Sequence, residues 1–356
     1  MNIIYHFPLP LDSSAKSASG IRPVKMLEAF VSLGYSVDVV SGYIAERKKM
    51  MRKIRQKILS GTKYEFCYSE SSTMPTLLTE KNHLPCLSAP DFPFFRFCKK
   101  NGIPVRLFYR DIYWCFKDYY RQVGIKGYVA KFFYKYDVRQ YLKYLDTLYV
   151  PCMKMLDYVP KLKRLHCEEL PPGCVIQGTE RPVEKSNVAI YVGGIGGHYD
   201  MHKLISVYAD MKNERLFFCV RQDDWEMVKD TYPLPENVQL VHASGDELKE
   251  WYQIPNKAML FVEPSLYRGF AIPYKLFEYM GWGLPIVANE GTAVGEYVKK
   301  NDIGWTIPYT EESLRTLLIR LSENREEIDR KRINVNKAAL KNTWEKRCEQ
   351  VARRFS

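Results

Sequence analysis

Five short apolar runs in the second half of the chain, Val188–Val192, Arg215–Val220, Val238–His242, Ala258–Val262 and Pro285–Ala288, are each separated by a stretch with helical spacing. A strand that is apolar on both faces must be covered on both faces, and strands that alternate with helices are joined in parallel. The pattern predicts repeated βαβ units and a doubly wound sheet, so the fold class is α/β. The first half repeats the pattern less cleanly. A strand over Asn2–Phe7 is closed by Pro8 and Pro10, and a loop rich in Ser and Gly (Asp12–Gly20) follows. An amphipathic helix from about Arg22 to Leu33, a strand at Ser36–Val40, and later runs at Val105–Tyr109 and Thr147–Val150 complete the reading. At 356 residues the chain exceeds one ordinary core, so two doubly wound domains are expected. They are placed at 1–170 and 187–340, joined by a linker over 171–186 where Pro171-Pro-Gly-Cys174 gives way to a polar stretch. The basic helical segment 341–356 is expected to return to the first domain. In such a pair, ligands bind outside the carboxyl ends of the strands, so function is sought on those loops and on a central cleft between the domains.

Composition removes several classes. With 46% hydrophobic and 26% charged residues, the chain is neither disordered nor a disulfide scaffold. The nine cysteines are scattered without a C-x-x-C pair, which fits a reducing compartment, and His83 with Cys86 lacks a second ligand pair for structural zinc. No run approaches the roughly 20 apolar residues of a membrane span, and Asn2–Phe7 reads as a strand rather than a leader. A cytoplasmic protein is expected.

The net charge of +12 is uneven. Residues 1–175 hold 28 Lys+Arg against 15 Asp+Glu, whereas the remainder holds 25 against 26. Two stretches of the basic half carry apolar faces rimmed by cations. Ala45–Leu59 aligns Met50, Met51, Ile54 and Ile58, and Lys126–Lys143 sets Tyr128, Phe132, Phe133 and Tyr136 among Lys131, Lys135, Arg139 and Lys143. Ordinary core-facing helices with a solvated basic side have the same pattern. Two in one domain favour peripheral contact with an anionic leaflet, the inner face of a cell membrane. A nucleic-acid-binding protein would use the same excess of cations, but no helix-turn-helix, RNP or zinc-finger pattern is present.

The most informative segment runs from Glu263 to Ala288. A strand ends at Val262, a loop containing Gly269 and Pro273 follows, and a helix starts near Tyr274. The first-turn N–H groups of a helix have no partners within it and carry the positive end of its dipole, so they suit phosphate oxygens. Lys275 adds a cation there, while Glu278, one turn in, suits the hydroxyl pair of a sugar. Phosphate donors beside a hydroxyl acceptor describe a nucleotide site.

The string Pro273-x-Lys275-x-x-Glu278-Tyr-Met-Gly-x-Gly-x-Pro285, followed by Ile-Val-Ala, resembles the donor-binding signature of the retaining glycosyltransferases of family 4. The resemblance extends through Tyr191-Val-Gly193-Gly194, Asn237-Val-Gln-Leu-Val and Asp246-Glu-Leu with Trp251-Tyr252, and is looser in the first half, where Gly20 matches a glycine near the donor's phosphates. It implies the GT-B fold, two Rossmann-like domains facing a cleft. It also implies transfer of a sugar from a nucleotide diphosphate sugar with retention of configuration and without a bound metal or other cofactor. Glu278 then holds the donor ribose. The acceptor, a glycan or a lipid-linked sugar in assembly of a bacterial-type surface polysaccharide, enters from the first domain.

Two departures from the family pattern bear on chemistry. The position eight before Glu278, often a second glutamate, is Phe270, which also leaves open a GT-B-like binding protein without catalysis. The Arg and Lys that often follow the strand equivalent to Ala189–Val192 are replaced by Gly193-Gly-Ile-Gly-Gly-His198-Tyr199. Arg221, just past the strand Arg215–Val220, is the expected compensating cation, since a guanidinium can pair bidentately with a departing diphosphate. Gly193 and Gly194 let backbone approach a phosphate, although such a turn is also simply flexible. The turn is no dinucleotide fingerprint, because no acidic residue ends the next strand. In the first domain Arg110 and Asp111 follow a strand: Asp111 is expected to orient the acceptor hydroxyl or take its proton, and Arg110 to face phosphates or acceptor. His6, at the end of the first strand, is read as a core or loop histidine.

Overall fold

The computed structural model describes residues 1–15, 17–117, 124–177, 187–197 and 199–353. The chain divides into two compact units, Met1–Pro171 together with Trp344–Ser356, and Pro172–Thr343.

The first unit runs β1 (Asn2–His6), α1 (Ala18–Ser32), β2 (Ser36–Val40), α2 (Ile44–Leu59), β3 (Cys67–Glu70), α3 (Asp91–Lys100), β4 (Val105–Phe108), α4 (Ile125–Tyr144), β5 (Thr147–Val150) and β6 (His166–Glu169). All six strands are parallel, in the order β2-β1-β3-β4-β5-β6. Ile3, Ile4 and Tyr5 of β1 and Leu148 and Tyr149 of β5 are fully buried, as strands with helices on both faces require. Two strands lie outside the apolar runs read from sequence. Cys67-Tyr-Ser-Glu70 is a central strand paired with both β1 and β4, and His166-Cys-Glu-Glu169, within the stretch leading to the linker, is an edge strand on β5.

The second unit runs β7 (Val188–Val192), α5 (His202–Asp210), β8 (Arg215–Cys219), α6 (Gln222–Glu226), β9 (Val238–Val241), α7 (Leu248–Gln253), β10 (Lys257–Leu260), α8 (Tyr274–Gly281), β11 (Ile286–Asn289), α9 (Ala293–Asn301), β12 (Gly304–Ile307), α10 (Glu311–Glu323) and α11 (Arg325–Leu340). Its six parallel strands lie in the order β12-β11-β10-β7-β8-β9. Alternate residues of β7 enter different cores: Val188, Ile190 and Val192 pack with α8 and Val335 of α11, while Ala189 and Tyr191 pack with Leu204 and Tyr208 of α5 and Leu314 of α10. The order reverses at β7, whose neighbours are β8 and β10. This is the topological switch point of the doubly wound sheet, and the loops after β7 and β10 flank it.

The last helix, α12 (Trp344–Ala352), is part of the first unit. Cys348 Sγ donates to the Met26 carbonyl at 3.4 Å, and Trp344 is 3% exposed against the Arg22 guanidinium.

The two basic helices of the first unit differ. On α2, Met51 and Ile54 are buried in the core, Met50 and Ile58 are half-buried, and Arg47 is fully enclosed by the carbonyls of Pro8 and Gly42 and the Asp91 carboxylate. That apolar face is already covered by the protein, which corrects the reading of it as a membrane face. On α4, Phe133 joins the core and Tyr136 is half-buried against it, but Ile125, Tyr128, Val129 and Phe132 are 85%, 56%, 43% and 63% exposed. Their i, i+3, i+4, i+7 spacing places them on one stripe. Among the described residues, no helix is long and apolar enough to cross a membrane.

Candidate active site

The helix after β10 carries the signature. Pro273 precedes it in extended conformation (φ −75°, ψ 149°), where its missing N–H costs nothing, and α8 then buries Leu276, Phe277, Tyr279 and Met280 in the sheet's core. That face turns Lys275 and Glu278 the other way, with side chains 28% and 17% exposed. Lys275 Nζ stands 2.5 Å from Glu278 Oε2 and 3.5 Å from the Tyr252 hydroxyl. Glu278 Oε2 is enclosed and has no aligned hydrogen bond, and the group paired with it is the Lys275 ammonium. Tyr252 is stacked on Trp282 with centroids 5.3 Å apart, and burial, followed by the nearby Glu278 carboxylate, pushes its phenol well up. Tyr274 is pushed up for the same two reasons. Pro273, Tyr274, Lys275 and Glu278 are thus together at the start of one helix, beside the switch point.

The turn after β7 is more structured than a flexible loop. Gly196 and Tyr199 exchange both backbone hydrogen bonds, at 3.0 and 2.9 Å, and the Gly193 N–H donates to the Cys219 carbonyl at 3.1 Å. A Cβ on Gly193 would stand 2.5 Å from the Tyr191 hydroxyl, and one on Gly194 would stand 2.9 Å from the Tyr199 ring. A side chain at either position would therefore force the neighbouring tyrosine to shift. The amides of Gly193 and Gly196 are occupied and are not free for a phosphate.

Arg221 lies two residues beyond Cys219, whose carbonyl accepts from the Gly193 N–H. It is exposed at the start of α6, beyond β8, and Asp223 and Asp224 follow it in the first turn. Arg268, in the loop after β10, also lies beside the glycine turn. Its guanidinium is 5.5 Å from the centroid of the Tyr199 ring, and its Nη1 donates to the Glu263 carbonyl. Sequence spacing gave no signal for this residue, because the contact joins two loops some seventy positions apart. Phe270, at the position of the family's carboxylate, is 3% exposed and packs edge-on against Tyr267 with centroids 5.1 Å apart, so it anchors the loop.

In the first unit the expected residues are held differently. Gly20 sits in the first turn of α1, where a Cβ would meet that of Ala15 at 2.4 Å; its smallness lets the preceding loop close on the helix. Arg110 gives one nitrogen to Glu70 Oε2 at 2.9 Å and another to the Ser71 carbonyl at 3.2 Å, so its charge is answered within the unit. Asp111 is half-buried, and its Oδ1 accepts from the Ile112 N–H at 2.6 Å. His6 is buried between Ser69 Oγ and Asp91 Oδ1, each at 2.8 Å, a core histidine.

Residues 176–340 match the family model of the glycosyl transferases group 1, and that stretch is nearly the whole second unit. The similarity to that family therefore lies in the second unit. Several solved glycosyltransferases share the architecture of the full chain. Alr3699/HepE of Anabaena, in complex with UDP-glucose, superposes with a TM-score of 0.63 at 11% identity, covering 98% of each chain. WaaG, a glycosyltransferase involved in lipopolysaccharide biosynthesis, gives 0.58 at 13% identity over 99% of this chain and 98% of its own. An alpha-glucosyltransferase in complex with UDP and a 13-mer DNA gives 0.63 at 12% identity over 99% and 98%. At such identities the likeness is one of fold, and the fold is GT-B. Among curated proteins, none matches. The chain is an enzyme of the glycosyltransferase class, with its family signature in the second unit.

Proposed function

We propose that the enzyme moves a sugar from a nucleotide diphosphate sugar to a glycan or lipid-linked acceptor with retention of configuration, in assembly of a surface polysaccharide. The observation that carries the reading is Glu278: a partly exposed carboxylate paired with Lys275, one turn into a helix that starts beside the switch point. The donor ribose hydroxyls donate to Glu278, and the diphosphate lies at the start of α8. That nucleotide sugars are bound by Alr3699/HepE, of the same fold, supports the donor class.

In the transfer, the bond between the anomeric carbon and the diphosphate oxygen breaks while the acceptor oxygen bonds to the same face of that carbon. The acceptor's proton passes to the departing diphosphate. Protein cations answer the leaving charge without a resident metal, so activity is expected to survive chelation by EDTA. Asp111 orients the acceptor hydroxyl from the first unit. The exposed stripe Ile125, Tyr128, Val129 and Phe132, with Lys126, Lys131 and Lys135 around it, supports peripheral contact with an anionic leaflet on the cytoplasmic side.

Thermal shift against UDP-, GDP-, ADP- and CMP-sugars tests the donor class. A ligand at 100 times its dissociation constant stabilises by about 2.7 kcal/mol, which a melting curve resolves easily. Stabilisation by one nucleotide diphosphate sugar, lost in Glu278→Ala, is the expected result; no response from any of the four sinks the reading.

A further inference from the structure

We infer that Tyr279 is a positioning residue for the donor site: its phenol stands in for a missing strand partner at the switch point and fixes Glu278 relative to the turn after β7. The inference rests on the nucleotide-sugar reading above and deepens it by naming what holds that site together. Its origin is a gap in the sheet. β7 pairs with β8 as far as Val192 and Cys219, and β10 pairs with β11 as far as Leu260 and Ala288. Between β7 and β10 the pairing joins Ala189 to Lys257 and Ile190 to Ala258, and ends there. The two strands that border the switch point therefore part before their outer neighbours do, beneath the loops where such a sheet binds ligands.

Strands that part leave backbone groups to be satisfied. The Val188 carbonyl accepts from the N–H of Asn256, just before β10, at 2.9 Å, while the Gly193 N–H donates to Cys219 on the β8 side. Backbone groups alternate in direction along a strand, so those of Val192, like those of Val188, point towards β10, where the pairing has ended. A buried amide left without a partner is costly. The Tyr279 hydroxyl takes the place: it accepts from the Val192 N–H at 2.8 Å and makes a longer bond, at 3.5 Å, to the Val192 carbonyl. Burial pushes the phenol well up, so it keeps the proton that it donates. One side chain thus supplies both the acceptor and the donor that a neighbouring strand would have given.

What this bond joins is the candidate site itself. Val192 immediately precedes Gly193 and Gly194, and Tyr279 immediately follows Glu278. Successive helical residues point about 100° apart, so the turn of α8 that drives the phenol into the sheet carries the carboxylate on another face. The Tyr279 ring is fully buried and edge-on to Tyr252 with centroids 6.0 Å apart; Tyr252 in turn stacks on Trp282 and has its hydroxyl 3.5 Å from Lys275 Nζ. The end of β7 is therefore held from both sides, by Cys219 through Gly193 and by α8 through Tyr279. Another buried tyrosine of the unit lacks this role. Tyr208 on α5 lies fully buried in the other core, and its hydroxyl has no hydrogen-bond partner among the described residues.

The test compares wild type with Tyr279→Phe, which removes the hydroxyl and keeps the ring, and with Tyr208→Phe as the matched control. Whichever of UDP, GDP or ADP binds wild type is titrated calorimetrically, and kcat and KM are measured for hydrolysis of the matching sugar donor. Circular dichroism and melting curves establish that each variant is folded, and hydrogen exchange by NMR follows the Val192 amide. In Tyr279→Phe the diphosphate affinity is expected to fall and the donor KM to rise on the order of tenfold, because small displacements within a site are expensive, with kcat within about threefold. The Val192 amide is expected to exchange at least about tenfold faster, the scale of one lost hydrogen bond, and Tyr208→Phe to keep the affinity and KM of wild type. A tyrosine that served folding alone would lower the melting temperature and leave KM unchanged. Affinity and KM within threefold of wild type in folded Tyr279→Phe, unchanged Val192 exchange, or equal losses in Tyr208→Phe overturn the inference while leaving the nucleotide-sugar reading intact. Should Tyr279→Phe not fold, wild type decides: a saturating nucleoside diphosphate is expected to slow exchange of the Val192 amide, and exchange unaffected by it overturns the inference. Failure of wild type to bind any of the three diphosphates overturns both.

Discussion

The two sheets end differently at their carboxyl edges, although both are six-stranded, parallel and doubly wound. In the first unit the charges at the edge are buried and paired, although Arg22 Nη1 and Nη2 have no aligned acceptor. Glu70 is fully buried and takes Arg22 Nε at 2.9 Å, Arg110 Nη2 at 2.9 Å and the Tyr68 hydroxyl at 2.9 Å. Next to it, Asp91 is fully buried between His6 and Arg47. Burial works against the Asp91 carboxylate, but the His6 and Arg47 contacts outweigh it and hold it below its usual range; burial likewise holds His6 below its own. In the second unit the charges at the edge are less enclosed: the Lys275 and Glu278 side chains, paired at 2.5 Å, are 28% and 17% exposed, and Arg221 is exposed. Charged residues at strand ends are thus no guide to a ligand site by themselves. What distinguishes the second edge is that its paired charges stay within reach of solvent, whereas those of the first are enclosed.

The comparison can be broken most forcefully in the first unit. Arg47→Met leaves Asp91 buried without its cation and is expected to cost about 3–5 kcal/mol of folding stability, read by urea denaturation. A loss below about 1 kcal/mol would mean that the buried edge is not the structural network described. The corresponding change in the second unit, Glu278→Gln, should leave stability nearly unchanged and instead weaken donor binding by about 10- to 100-fold, the scale of a hydrogen bond to a charged group. Equal donor affinity in that variant would put the ribose elsewhere.

A smaller effect concerns pH. Asp137 on α4 is buried, its Oδ2 accepting from the Thr76 N–H at 2.7 Å and the Thr76 hydroxyl at 3.0 Å, and burial pushes its carboxyl up to about 7. The folded state therefore holds a proton that the unfolded chain releases near its ordinary value of about 4. This contribution is fully present below pH 4 and is lost as pH rises towards 7. Asp137→Asn mimics the protonated acid, and its stability should lose that part of the slope between pH 4 and 7; an unchanged slope would reject the assignment. The smallest effect is expected at the surface. Phe132→Ser on the exposed α4 stripe should weaken association with anionic vesicles a few-fold, whereas Met50→Ser on α2 should not, as judged by vesicle sedimentation.

These elements show why parts of the molecule could be read from sequence. The strands β7, β8, β10 and β11 are largely apolar on both faces, so each announces itself locally. Strand Cys67-Tyr-Ser-Glu70 does not, because it is made a strand by pairing with β1 and β4, and its Ser69 and Glu70 point into polar networks that only the fold assembles. The faces of α2 and α4 look alike in sequence, since amphipathicity states that a face is apolar and not what covers it. The grouping of Pro273, Lys275 and Glu278 was legible because helical spacing is local. Arg268 was not, because only the sheet order carries the β10 loop to the turn after β7.

Hydrogen–deuterium exchange with a saturating nucleoside diphosphate measures the central claim most directly, because it reports on both strand edges in one experiment. The less enclosed edge predicts slowed exchange in peptides covering 193–197 and 263–278, with little change over 67–72 and 105–111. Protection confined to the first unit's peptides would contradict the account.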